Sequence, residues 1–156
     1  VNQESTSKKL KHDLVTLCNA HVQQRIDVAR RAMEAAQESA NSESKSSAGD
    51  KYETGRAMAQ IERDRYAHQL DVALAVEQEL TRINSEKEYT VVQPGSLVTT
   101  NRGMFFISIS AGKLNIDGKD VFAISPASPI GSALAGRRAG ETVLFNKLVY
   151  EILSVA

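Results

Sequence analysis

Two carboxylates three positions apart, Asp50 and Glu53, follow Gly49 in the segment Ser46-Ser47-Ala48-Gly49-Asp50-Lys51-Tyr52-Glu53. Carboxylates are hard oxygen donors. They suit Mg²⁺, which commonly keeps several waters and takes one or two protein carboxylates. Two acids alone hold such an ion weakly, so a metal site here needs another molecule to complete it. The same pair has a plainer reading. Asp at an N-cap with Glu at N3 is a capping-box-like helix start, and both acids favour the positive end of a helix. The readings are compatible, because a fixed helix start also fixes the loop that presents the acids.

Other reactive side chains are less organised. His12, His21 and His68 lack metal-ligand spacing, and there is no HxxxH or CxxC pair. Cys18 has no activating partner near it in sequence and reads as a half-buried helix residue rather than a nucleophile. Arg25, Arg30, Arg31, Arg56, Arg63 and Arg65 could touch an RNA strand. Their interleaving with Asp and Glu favours a solvated helix face. Lys8, Lys9, Lys11 and His12 read as a solvated helix start rather than a nucleic-acid patch. Tyr52 suits either base stacking or loop packing. Glycine-rich phosphate fingerprints are absent.

The elements that position these residues divide near residue 88. Before it the only helix breakers are Gly49 and Gly55; after it come all three prolines and every other glycine. The first part carries apolar residues at 3–4 spacing. Leu10, Leu14, Leu17, Val22 and Ile26 lead into Ala29, Met33, Ala36 and Ala40. A second arm runs through Met58, Ile61, Leu70, Ala73, Val76, Leu80 and Ile83, with Arg65 and His68 near its seam. The polar stretch Asn41–Ser47 with Gly49 predicts a turn between two similar arms, hence an antiparallel hairpin rather than a parallel dimer. Arms of about 37 residues give a rod of roughly 50 Å with the acids at its tip. The hairpin satisfies its own seam, so a monomer is expected.

The second part reads as strands. Gly95–Thr100 turns through Asn101-Arg102-Gly103 into Met104–Ser110, which alternates only in part. Asp117-Gly118 is a hairpin signal, and Val121–Ile124 follows it as a strand. Ser128-Pro129 opens a short helix, with Ser as N-cap, Pro at its first position and Gly136 at its end. Glu141–Phe145 and Leu148–Leu153 close the chain as a hairpin across Asn146-Lys147. The fold class is α+β, with a coiled-coil hairpin over 1–87, its tip near 46–54, and a β-rich domain with one short helix over 88–156.

Nineteen basic and nineteen acidic residues cancel, which argues against gripping free nucleic acid by counterion release. The single Cys18 fits a reducing compartment. The absence of any long apolar run or signal-like segment predicts a cytoplasmic protein with no membrane partner.

Two segments together resemble the bacterial Gre transcript-cleavage factors, over about residues 10–156. Their tip pattern Gly-Asp-x-x-Glu-Asn is matched by Gly49-Asp50-Lys51-Tyr52-Glu53-Thr54. Their Ser-Pro-hydrophobic-Gly-x-Ala-Leu-x-Gly-basic stretch is matched by Ser128-Pro129-Ile130-Gly131-Ser132-Ala133-Leu134-Ala135-Gly136-Arg137, and Tyr150-Glu151-Ile152 resembles the closing strand. The chain departs from the family at Thr54-Gly55-Arg56-Ala57, where Asn-Ala-Glu-Tyr is usual. Its acidic cluster before Ser-Pro is reduced to Asp117 and Asp120.

The resemblance implies a C-terminal domain of FKBP-like fold and a hairpin that enters the secondary channel of RNA polymerase. Asp50 and Glu53 would there share a catalytic Mg²⁺ with the polymerase and stimulate its cleavage of backtracked RNA. The chain would be an elongation factor acting on the RNA 3′ end indirectly, without a cofactor of its own and not itself an enzyme. Ser128, Pro129, Ile130 and Gly131 would lie near the polymerase contact. The fold's isomerase activity is not implied, and with no Trp and few other aromatics an aromatic-lined pocket is not expected. Two other readings stay open: a channel-binding regulator that does not stimulate cleavage, and a coiled-coil scaffold with no polymerase role.

Overall fold

The computed structural model describes the backbone of residues 2–45 and 49–156, and the side chains of 6–42 and 53–156. Helix α1 is Asn2–Lys45 and α2 is Gly49–Thr81. Strands β1 (Leu97–Thr100), β2 (Gly103–Ile107), β3 (Gly112–Ile116) and β4 (Lys119–Ile124) follow. After the short helix α3 (Pro129–Leu134), β5 (Thr142–Phe145) and β6 (Leu148–Val155) end the chain. The fold is α+β, two long helices followed by a six-stranded sheet with one short helix.

The chain forms two compact units. One is Val22–Glu77; the other joins Val1–His21 with Gln78–Ala156. In the Val22–Glu77 unit, the side-chain amide of Gln23 donates to the carboxylate of Glu77. From Gln23 to Lys45 α1 rises about 33 Å, and from Gly49 to Glu77 α2 rises about 42 Å. Residues that far from the connection at 46–48 touch only if the helices run antiparallel, so the hairpin is real. Its seam is rich in alanine: Ala29, Ala36 and Ala40 are buried on α1 beside Val22 and Ile26, and Ala59 and Ala73 on α2. Small side chains let helix axes approach closely.

Two expectations fail here. Met58 and Ile61, read as seam residues, are 64% and 67% exposed. Ala59, one step of about 100° around the helix, takes the seam position instead. The stretch Asn41–Lys45 is helical rather than a turn. It holds no Gly or Pro, and Ser or Asn costs a growing helix only a few tenths of a kcal/mol. The remaining turn residues, Ser46, Ser47 and Ala48, lie outside the described residues.

In the other unit the sheet order is β3-β4-β2-β1-β6-β5. Only the β2–β4 pair is parallel. Side chains alternate between two buried faces. Val98, Phe105, Ile107 and Ile152 pack with Leu134 of α3 and with Val92 and Val143. On the opposite face Leu97 stands beside Phe106, and Phe106 beside Ala123, all buried. The Cys18 Sγ of α1 lies 3.9 Å from Ser108 Oγ, so α1 meets this second face. Burial on both sides explains why Phe105 through Ile109 reads as a continuous run with little alternation. The β2 ladder ends at Ile107, short of the expected Ser110, because the chain must reverse before β3 begins at Gly112.

The turns of the β3–β4 and β5–β6 hairpins have backbones in the left-handed region, with φ of 51° and 82° at Asp117 and Gly118 and 50° and 67° at Asn146 and Lys147. These are the conformations that match strand twist in two-residue hairpins.

Candidate functional site

The residues singled out from the sequence fall in two places, one in each unit. In the helical hairpin, α2 begins at Gly49, which puts Asp50 and Glu53 inside its first turn or two rather than at N-cap and N3. Positions i and i+3 share a helix face, and acids there favour the positive helix end. Glu53 is exposed. The side chains of Asp50 and Tyr52 lie outside the described residues. Among the described residues no group of three or more His, Cys, Asp or Glu side chains converges.

The arginines of the hairpin behave as a solvated face. Arg31 lies 3.7 Å from Asp27 and Arg63 lies 3.3 Å from Asp64. Arg65 sits 4.8 Å over the Tyr66 ring and donates to its hydroxyl at 3.0 Å.

The second place is the start of α3. Ser128 caps the helix: its Oγ accepts from the Gly131 amide at 3.1 Å and donates to the Ser125 carbonyl at 2.7 Å. Pro129 occupies the first turn, where its missing N–H costs nothing. Gly131 is buried, and a Cβ there would come within 2.2 Å of the Ser125 carbonyl oxygen. Ile130 packs half-buried against the sheet core. Of the four residues read as partner contacts, three therefore hold the loop and helix together, and only Pro129 is exposed. Ser125 was not singled out. Its signal was the spacing Ser125-Pro126-x-Ser128-Pro129, which repeats a turn-forming pair.

Of the two acids before this loop, Asp120 is held across the β3–β4 hairpin. Asp120 accepts from the Asn115 side-chain amide at 2.9 Å and lies 3.4 Å from Lys113 Nζ. The Asn115 hydrogen bond, aided by Lys113, holds the Asp120 carboxyl below its ordinary value.

One basic residue departs from its expected surroundings. Lys11, read as part of a solvated helix start, is fully buried. Its ammonium donates to the Lys87 carbonyl and lies 5.0 Å from the centroid of the Tyr89 ring. The segment after α2 folds over α1 there, a long-range packing event with no local sequence signal. Burial, opposed by the charge of Glu88, lowers the Lys11 pKa. Cys18 is fully buried, and burial raises its thiol pKa against the smaller effect of the Ser108 hydrogen bond.

No helix among the described residues is long and apolar enough to cross a membrane. No protein-family model and no curated protein matches the chain.

Proposed function

We propose that the chain is a transcription elongation factor that inserts its helical hairpin into the secondary channel of a bacterial RNA polymerase. The observation that carries this reading is the antiparallel hairpin whose second helix opens with positions 50 and 53 on one face, Glu53 being exposed. Asp50 and Glu53 would hold, jointly with the polymerase, the Mg²⁺ that supplies an activated water for cleavage of backtracked RNA. The factor lends ligands and positions them; the nuclease is the polymerase. A protein of zero net charge reaches RNA through its protein partner rather than by its own phosphate contacts. The sheet unit, through exposed Pro129 at the capped start of α3, would supply the outer contact with the polymerase.

The test is a backtracked elongation complex with Mg²⁺ and labelled RNA. Cleavage accelerates with the intact chain and falls to the intrinsic rate with either Asp50→Ala or Glu53→Ala. Acceleration that survives both substitutions removes the acids from the mechanism. Competition with a known channel binder without acceleration leaves a non-cleaving channel regulator. Absence of both effects leaves a coiled-coil scaffold without a polymerase role.

A further inference from the structure

The unit that contains the sheet has a cavity of about 400 Å³ that the polymerase reading does not use. It opens between the end of α2 and the loops flanking the sheet. Ile83, Pro94 and Pro126 give it apolar walls, and Ser108 and Ser125 also line it. Its size falls within the range of small-molecule sites, which combine apolar walls with a few convergent polar groups.

Two observations define the chemistry of an occupant. First, Glu79 and Arg82 line the cavity one helical turn apart, and neither pairs with another charged group among the described residues. The rim therefore offers one negative and one positive group to the same cavity. Second, Ser108 is 3% exposed yet lines the cavity. Its hydroxyl makes only marginal contacts, at 3.9 Å to Cys18 Sγ and 3.5 Å to the Phe106 carbonyl. A hydroxyl this buried and this weakly held is poised for a better partner.

We propose that this cavity binds a free α-amino acid with a large apolar side chain. Its ammonium is met by Glu79 and the Ser108 hydroxyl, its carboxylate by Arg82, and its side chain by Ile83, Pro94 and Pro126. A simple anion would be repelled by Glu79 and a simple cation by Arg82, so the zwitterion is the form the rim selects. Charge-assisted hydrogen bonds make both ends contribute. The inference does not rest on the polymerase reading.

The test uses the full chain, L-phenylalanine as probe and two analogues that each lack one charge: 3-phenylpropionate, without the ammonium, and phenethylamine, without the carboxylate. Amide shifts of Ser108, Ser125 and Ala127 are followed through the titration. L-Phenylalanine is expected to saturate with a Kd of roughly 0.1–1 mM, as suits so small a ligand, and each analogue to bind about tenfold more weakly. Glu79 and Arg82 are exposed, so their variants keep the fold, which the remaining amide spectrum verifies. Arg82→Ala brings L-phenylalanine down to the level of phenethylamine, and Glu79→Gln down to that of 3-phenylpropionate. The proposal is overturned by the absence of a saturable shift up to about 10 mM. It is equally overturned if either analogue matches L-phenylalanine, or if both variants bind as the intact chain does.

Discussion

At the scale of single residues, Gly131 and Lys11 show two kinds of constraint. Gly131 is set by close approach: a Cβ would stand 2.2 Å from the Ser125 carbonyl oxygen and 2.8 Å from Ser128 Oγ. The first neighbour is backbone and cannot swing away. Gly131→Ala is expected to destabilise the sheet unit by about 1–3 kcal/mol, read as a lower urea midpoint at unchanged slope. Lys11 is set by burial. Its pKa lies below the ordinary 10.5, so the unfolded chain binds more protons there than the folded one. Stability from this group therefore rises with pH through the window between the lowered value and 10.5. Cys18 acts oppositely, since a raised thiol pKa makes stability fall at alkaline pH. The difference between the intact chain and Lys11→Met isolates the lysine: it is expected to shift in favour of the intact chain from pH 7 to pH 10 in denaturant titrations. A flat difference would show that Lys11 titrates alike in both states. The capping role of Ser128 was legible because Ser-Pro is a local signal. The burial of Lys11 was not, because Lys87 and Tyr89 reach it from more than seventy positions away.

Among the elements, α2 carries two apolar stripes, and sequence periodicity picks out the wrong one in its first half. Met58, Ile61, Arg65 and His68 keep 3–4 spacing, yet Met58 and Ile61 are exposed. The buried set is Ala59, Ala73 and Leu80, with Tyr66 and Leu70 half-buried between them. Hydrophobicity ranks Met and Ile above Ala, but the seam selects small side chains for close approach. Met58→Lys and Ile61→Lys are expected to change thermal stability by less than about 0.5 kcal/mol, whereas Ala73→Leu overpacks the seam and costs about 1–3 kcal/mol. Circular dichroism melts of the three variants check this.

The β5–β6 hairpin is the contrasting case, since Asn146-Lys147 marks its turn locally. Lys147 holds φ at 67°, a conformation that suits glycine better than lysine. Lys147→Gly is expected to stabilise the chain by about 0.5–1 kcal/mol, visible as a higher melting temperature. The strands were legible where a turn residue bounded them. The end of β2 was not, because burial on both faces erased the alternation that would have marked it.

For the molecule as a whole, composition shifts near residue 88, whereas the compact sheet unit recruits both Val1–His21 and Gln78–Ala156. The reason is physical. The sheet face bearing Leu97, Phe106 and Ala123 needs a cover, and α1 reaches that face at the Cys18–Ser108 contact. A change in composition reports which element a residue builds, not which elements share a core. The Val22–Glu77 unit begins and ends at neighbouring points, since Gln23 and Glu77 are hydrogen-bonded. A short glycine-rich turn from His21 to Gln78 should therefore replace that unit without straining the other. The spliced chain is expected to fold cooperatively and to keep slow amide exchange at Val98, Phe106 and Ile152. A fragment restricted to residues 88–156 leaves apolar sheet surface uncovered and is expected to lose that protection or aggregate. If the fragment kept the same protection as the spliced chain, the α1 segment would be dispensable to the core, and the burial of Cys18 would be a consequence of the fold rather than one of its supports.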